Sequence, residues 1–379
     1  VCFMFLVALN KKLRDQNWFT INLIKEPDLM NILDLVSLGT VCDVVPLIGI
    51  NRAFVRQGLK ILKKKNNLGL KTLIEVCNIE KTITAHELGY ALGPRINAGG
   101  RVGMSTHGAE LLLNQNPKDA FKLALDLNTF NEERKILETE LLNKILNVNY
   151  KNSTEPVVIL YGENWHEGII GIIASRVKEK FNKPTIIISV NGGIGKGSGR
   201  SIPGFDLGSA VIGAVQSGLL SKGGGHKMAA GFTINMDKIN EFKDFVFRRF
   251  KSININLEEK KNYYFDIEIA PSAVNIEFYE KINILAPFGS GNSEPRFVIK
   301  DLKIVNSKIV ADKHIKVVLV GSDSSILRAI SFNSVETTLG SYLLKKNIKS
   351  FDIAGKLSLN EWRGRKNVEF IIDDISVIK

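Results

Sequence analysis

The spacing of apolar and polar positions divides the chain into stretches of different texture. From Val1 to about Lys65, VCFMFLVALNKKL carries apolar positions at helical spacing, and Thr20 to Leu23 reads as a short strand. The apolar run LDLVSLGTVCDVVPL follows, then a basic helix ending in KKK, and together these resemble part of an α/β domain. From about Pro117 to Asn147 apolar residues recur at helical spacing among charged ones, which predicts one long solvated helix or a helix pair. VVILYG and PTIIISV then read as strands on either side of an apolar helix through Arg176, so a second α/β domain is predicted. After FRRFK and LEEKKN the period drops to two. YYFDIEI, RFVIKDLKIV, IKVVLV, LRAISF, FDIAGKLSL and VEFIIDDISVI predict a small β-barrel.

With 379 residues the chain is long enough for two or three domains. Its 44% hydrophobic and 24% charged residues and its mean hydropathy of +0.03 place it among globular proteins, against disorder or a membrane span. The opening VCFMFLVAL is too short to cross a bilayer and has no basic leader, so a cytoplasmic protein is expected. A helical pattern that begins at residue 1 predicts a start in mid-domain, with an N-terminal segment missing. The net charge of +12 points to a polyanionic partner, nucleic acid first, because Lys and Arg release counterions from phosphates. A merely solubilising surface would give the same charge. Cys2, Cys42 and Cys77 lie far apart without CxxC pairs and read as reduced core residues.

Four glycine-rich clusters carry cations. GKGSGRS (195–201) fits a phosphate cradle with Arg200 as a forked donor, although a hairpin turn would use the same glycines. KGGGHKMAAGF places His226 after three glycines, and GENWHEGIIGIIASR places His166 at a turn and Arg176 at the end of an apolar helix. GPRINAGGR sets Arg95, Asn97 and Arg101 among small residues. Their recurrence suggests a shared anionic ligand. Two-metal hydrolysis of a phosphodiester needs several bridging carboxylates and histidines, and here Asp43 is the one carboxylate placed as a ligand would be. Asp34 is expected to cap or pair locally. Asp266 and Glu268 alternate toward solvent on a barrel strand, and His86, His107 and His314 lack ligand spacing.

In order, LDLVSLGTVCDVVPL, GPRINAGGR, NWHEGIIGIIASR, KGSGRSIPGFDL, GGGHKMAAGF and APFGSGNSEP resemble the motifs of the RecJ family of the DHH phosphoesterase superfamily, and NEWRGRKNVEFIIDDI resembles the end of its OB domain. The resemblance covers essentially the whole chain. It implies an α/β fold in four parts: the C-terminal part of a DHH domain (1–110), a connecting helix (111–152), a DHH-associated phosphate- and substrate-binding domain (153–255), and an OB-fold nucleic-acid-binding barrel (256–379). It also implies 5′-to-3′ digestion of single-stranded DNA in recombination and repair, supported by Mn2+ or Mg2+ in a two-metal site. Asp43 is carried over as catalytic metal ligand, and Arg200 and His226 as catalytic residues holding the terminal nucleotide. Gly199, Ser201, Gly223, Gly224, Gly225, Arg95, Asn97, Arg101, His166 and Arg176 are carried over to substrate and phosphate binding. Trp362, with Arg363 and Arg365, is the candidate for base stacking on the barrel.

The family's early aspartate motifs and DHH triplet are absent from this sequence, so the resemblance assigns most of the metal site to the missing segment. Single-stranded DNA is the implied partner, with a single-strand-binding protein and a helicase beside it. A non-catalytic single-strand binder and a phosphodiesterase for very short oligonucleotides or cyclic dinucleotides are the rival readings.

Overall fold

The computed structural model describes residues 1–146, 155–253, 262–345, 350–362 and 365–377, without the side chains of Trp362 and Arg365. The first helices are α1 (Cys2–Asp15), α2 (Trp18–Ile21), α3 (Leu33–Cys42), α4 (Gly49–Leu62), α5 (Leu68–Val76), α6 (Ala85–Glu87), α7 (Gly93–Val102), α8 (His107–Leu113) and α9 (Pro117–Leu146). There follow β1 (Val158–Glu163), α10 (Ile170–Phe181), β2 (Thr185–Asn191), β3 (Ile194–Arg200), α11 (Leu207–Gln216), β4 (Lys222–His226), β5 (Ala229–Asn235) and α12 (Ile239–Lys251). The last stretch holds β6 (Ile267–Glu268), α13 (Ile276–Asn283), β7 (Phe297–Val310), β8 (His314–Val320), β9 (Ile326–Ser331), α14 (Thr338–Leu343), β10 (Phe351–Trp362) and β11 (Arg365–Val377).

One sequence expectation changes, and one unassigned run takes a definite form. The strand expected at Thr20 to Leu23 is a helical turn, and among the described residues no strand precedes Val158. The apolar run LDLVSLGTVC forms α3, because four to eight consecutive apolar residues fit a buried helix as well as a strand. The polar-spaced stretch after Pro117 is a single helix of 30 residues.

The chain folds into two compact units, neither continuous in sequence. One comprises 1–64, 82–89 and 261–379, and the other 65–81 and 90–260. In the first, α3 crosses α4 at Gly58, where a Cβ would stand 2.1 Å from the Leu33 carbonyl oxygen. Only glycine permits that approach. In the same unit β7, β8, β9, β11 and β10 close into a five-stranded barrel, the last pairing back to the first, with β6 added at the edge of β7. The alternation in IKVVLV is the barrel's inside and outside: Ile315, Val317 and Leu319 are buried with Phe351 and Phe370, while the residues between them are half-buried.

The second unit is built on a five-stranded sheet in the order β1-β2-β3-β5-β4. β2 is buried along TIIISV because both faces are covered: Ile187 packs with α10, and Ile186 and Ile188 pack with residues of α11 and α12. Cys2 is exposed and Cys42 and Cys77 half-buried, all free, so the expectation of core cysteines fails for Cys2, which lies on the open side of α1.

A candidate phosphate and strand-binding site

The GKGSGRS segment is neither a turn nor a loop cradle. It is strand β3, and its two-residue period separates two jobs. Gly195, Gly197 and Gly199 point into the core: a Cβ at Gly197 would stand 2.1 Å from the Phe232 ring, and one at Gly199 would stand 2.6 Å from Leu207 Cδ2. Their N–H groups belong to the sheet, so these glycines allow close packing and do not cradle an anion. Lys196, Ser198 and Arg200 alternate to the opposite face.

The cross-strand register builds that face. Arg200, Ala229 and His226 form one row across β3, β5 and β4; Ser198, Gly231 and Gly224 form the next; Lys196, Thr233 and Lys222 form the third. No atom outside its neighbours lies within 4 Å of a Cβ placed at Gly224, and at Gly231 the first contact is 3.7 Å away. The result is a smooth floor flanked by cations, with Arg200 and His226 two strand spacings apart, roughly 10 Å. Gly223 and Gly225 face the other way, against Val211, Phe232 and Ala230. Of the three glycines in the GGGH motif, Gly224 is the one whose missing side chain clears the floor, while Gly223 and Gly225 remain exposed on the edge strand β4.

Helix α10 borders the floor. Gly171 lets it approach so closely that a Cβ there would stand 3.0 Å from Ser198 Oγ and 3.2 Å from Arg200 Nη2. Arg200 is fixed by its own Nη1, which donates to the Gly199 carbonyl at 2.9 Å. Burial lowers the pKa of Arg200, and the nearby charge of Arg101 lowers it further. An anion bound beside Arg200 would offset both effects. Arg101, at the end of α7, donates from Nη1 to the Gly168 carbonyl at 3.1 Å, and Gly168 passes so near that a Cβ would stand 2.2 Å from the Arg101 oxygen. Desolvation, then the charge of Arg134, lower the Arg101 pKa.

Other expected residues have different work. Ser201 is buried and its hydroxyl donates to the Phe205 carbonyl at 2.7 Å, so it closes the turn into α11 and does not face the floor. Arg95 donates to Asn128 Oδ1 at 2.9 Å and to the Ala91 carbonyl at 2.8 Å, which fastens α7 to α9. Asn97 is exposed on α7. His166 accepts from the Gly168 N–H through Nδ1 at 3.1 Å, so the neutral ring carries its proton on Nε2 and shapes the turn before α10. Arg176 lies 3.2 Å from Glu138, an ion pair the sequence reading missed; the signal was Glu138 one helical turn after Arg134. The side chain of Trp362 and all of Arg363 lie outside the described residues.

Asp43 caps the C-terminal end of α3, exposed, in the other unit. The segment after it is held by the APFGSGN stretch: the Leu47 N–H donates to the Ser290 carbonyl at 2.6 Å, and Arg52 Nη2 donates to the Leu285 carbonyl at 2.6 Å. Gly291 allows contact with Pro46. Asp34 is buried in the first turn of α3, accepting from the Leu35 N–H, and burial raises its pKa. Among the described residues no three His, Cys, Asp or Glu side chains gather to hold a metal ion, so Asp43 does not make a metal centre with them.

Comparison with known proteins bears on these motifs. The DHHA1 domain family matches residues 154–252 and the RecJ OB domain family matches 265–374. The single-stranded-DNA-specific exonuclease RecJ of Haemophilus influenzae is 33% identical over 392 residues, covering 100% of this chain and 67% of that protein. The chain belongs to the RecJ family. The RecJ of Dickeya dadantii is 35% identical over 99% of the chain, and the chain spans 66% of its length, just under two thirds. The crystal structure of Thermus thermophilus RecJ in complex with Mn2+ superposes with a TM-score of 0.80 at 27% identity, over 95% of this chain and 51% of that one. The mixed α/β architecture with a DHHA1 domain and a closed OB barrel is therefore the RecJ architecture.

Proposed function

We propose that this chain is the phosphate- and strand-binding body of a single-stranded-DNA exonuclease that acts with Mn2+ or Mg2+ from the 5′ end, in recombination and repair. The observation that carries the reading is the open face of β3, β5 and β4, where Arg200 and His226 share one row over a floor of Gly231 and Gly224. Arg200 and Arg101 supply forked donors for a terminal phosphate, and the Ser198 hydroxyl beside Arg200 supplies a third contact. His226, across the floor, is placed to hold a different group of the same nucleotide. The four-part division at residues 110, 152 and 255 belongs to this proposal, as does strand guidance by the barrel, supported by the match to the RecJ OB domain.

The metal would supply the activated water and charge neutralisation at the phosphate. Asp43 is the ligand this chain offers through its family motif, and since the described residues do not complete a centre, no step is derived through the ion. A single-strand-binding protein, a helicase and a cytoplasmic location follow from the family resemblance. No helix among the described residues is long and apolar enough to cross a membrane.

The test is binding of a labelled oligo-dT carrying either a 5′-phosphate or a 5′-hydroxyl, with Arg200→Gln beside the unaltered chain. A preference for the phosphate that Arg200→Gln removes supports the reading; equal binding of both ends by the unaltered chain refutes it. Digestion with Mn2+ that Asp43→Ala abolishes would support the enzyme, and strand binding without digestion would favour the non-catalytic binder.

A further inference from the structure

The open face of β3, β5 and β4 continues beyond the Arg200 row. Two residues along each strand lie Ser198, Gly231 and Gly224, and two further on lie Lys196, Thr233 and Lys222. The Arg200 and Lys196 rows are thus four residues apart on β3, roughly 13 Å. Lys196 is half-buried and Lys222 is exposed on the edge strand, so this last row sets an ammonium group on either side of one threonine. Lys196 Nζ donates to Thr233 Oγ1 at 3.2 Å, which holds the amine across the sheet. An ammonium can only donate, so the Thr233 hydroxyl keeps its own hydrogen for a further acceptor. Among the described residues neither Lys196 nor Lys222 forms an ion pair, whereas Arg134, Arg176 and Lys243 of the same unit are each paired with a glutamate.

We propose that Lys196, Thr233 and Lys222 form a second phosphate subsite, which holds an internal phosphodiester of a single strand whose 5′-phosphate lies at Arg200. This rests on the reading of Arg200 as a ligand of the terminal phosphate. Two like charges that flank one hydroxyl, with no carboxylate to pair them, are complementary to an anion that accepts from all three groups. Between the two subsites stand Gly231 and Gly224, which raise no side chain in the path of a sugar–phosphate backbone. The interval also fits. Roughly 13 Å is four nucleotide steps at the duplex rise of about 3.4 Å, and about two steps for a strand stretched to twice that rise. The strand then runs from Arg200 back along β3 toward Ile194, and its end and its length are read by different side chains.

The experiment uses the full chain in EDTA, where no strand is digested, and titrates thymidine 5′-monophosphate and a 5′-phosphorylated dT pentamer by calorimetry. The unaltered chain should bind the pentamer more tightly. Lys196→Gln/Lys222→Gln, shown to be folded by circular dichroism, should weaken the pentamer about tenfold and leave the mononucleotide within about twofold. For the pentamer, the slope of log affinity against log salt should become shallower by about 0.7, the share of one phosphate. Arg248→Gln/Lys251→Gln removes the same charge from the exposed end of α12, which packs on the opposite face of the sheet, and should leave the pentamer unaffected. Equal affinity of the unaltered chain for both ligands overturns the proposal. So does a lysine variant that keeps the pentamer advantage or weakens both ligands alike, and so does an equal loss in the α12 variant. If the lysine pair variant does not fold, Lys222→Gln alone, on the exposed edge strand, decides by the same comparison. Arg200→Gln separates this inference from its foundation. If Arg200→Gln binds the mononucleotide as the unaltered chain does, the terminal-phosphate reading falls; if it loses the mononucleotide while the lysine variant keeps the pentamer advantage, only the second subsite falls.

Discussion

Gly168→Ala puts a close backbone approach in the second unit to the test. The new Cβ would start 2.2 Å from the Arg101 oxygen, 2.9 Å from its carbonyl carbon and 3.1 Å from its Cα. All three are main-chain atoms, so no side chain can rotate away. Carbon–oxygen contacts settle near 3.3 Å or beyond, so the end of α7 and the turn before α10 must separate by roughly 1 Å. Overpacking of this kind costs about 1–3 kcal/mol, and for a unit of this size each kcal/mol lowers Tm by about 2–4 °C. The same displacement stretches the 3.1 Å bond that orients Arg101, and losing about 1.4 kcal/mol there weakens phosphate-ended strand binding about tenfold. Differential scanning fluorimetry and fluorescence anisotropy read the two effects. Gly100→Ala, where a Cβ meets nothing within 4 Å, is the control and should stabilise α7 by about 0.5–1 kcal/mol. An unchanged Tm and unchanged affinity in Gly168→Ala would refute the claim that this approach builds the site.

Ser201→Ala should cost about 0.5–1.5 kcal/mol in denaturant unfolding by removing the buried bond to Phe205, and leave strand affinity within twofold. Gly224→Ala should stay within about 0.5 kcal/mol of the unaltered chain in stability yet weaken strand binding, because its Cβ rises from the floor, whereas Gly223→Ala, with Val211 Cγ1 at 2.7 Å, should lose about 1–3 kcal/mol. Phe242→Ala, a fully buried ring 4.9 Å from that of Phe232, should lose about 3–5 kcal/mol. Asp34→Asn should raise Tm at neutral pH. Burial raises the folded pKa of Asp34, so the cost of its ionised form is absent below the unfolded value near 3.9 and complete above the folded one; the advantage of Asn must fade as pH falls through that window. A pH-independent difference would mean that the amide packs better, with no part played by charge.

What the sequence showed and what it hid follow one physical division. The barrel strands and TIIISV were legible because burial alternates or persists with the strand period. LDLVSLGTVC was not, because a short apolar run has no period to choose between helix and strand. The cations Arg101, Arg200 and His226 stood out by type and company. Arg95 and Ser201 stood out equally and are committed elsewhere, to Asn128 and to Phe205, since a motif shows which residues recur together and not which way each side chain turns.

The glycines are where this matters most for mechanism. Read along the chain, GKGSGRS and GGGH suggest exposed backbone donors wrapped around an anion. Read across the sheet, Gly197 and Gly199 are spent on the core, Gly223 and Gly225 leave room for Val211 and Ala230 while staying exposed on the edge strand, and Gly224 and Gly231 clear the floor. In the site we propose, the glycines of β3 and β5 contribute shape, while charge comes from side chains of α7, β3 and β4. A site made this way binds any phosphate weakly unless its arginines are held in register. The narrow pass at Gly168, whose carbonyl holds the Arg101 guanidinium, is thus as much a part of the proposed phosphate site as the arginines themselves.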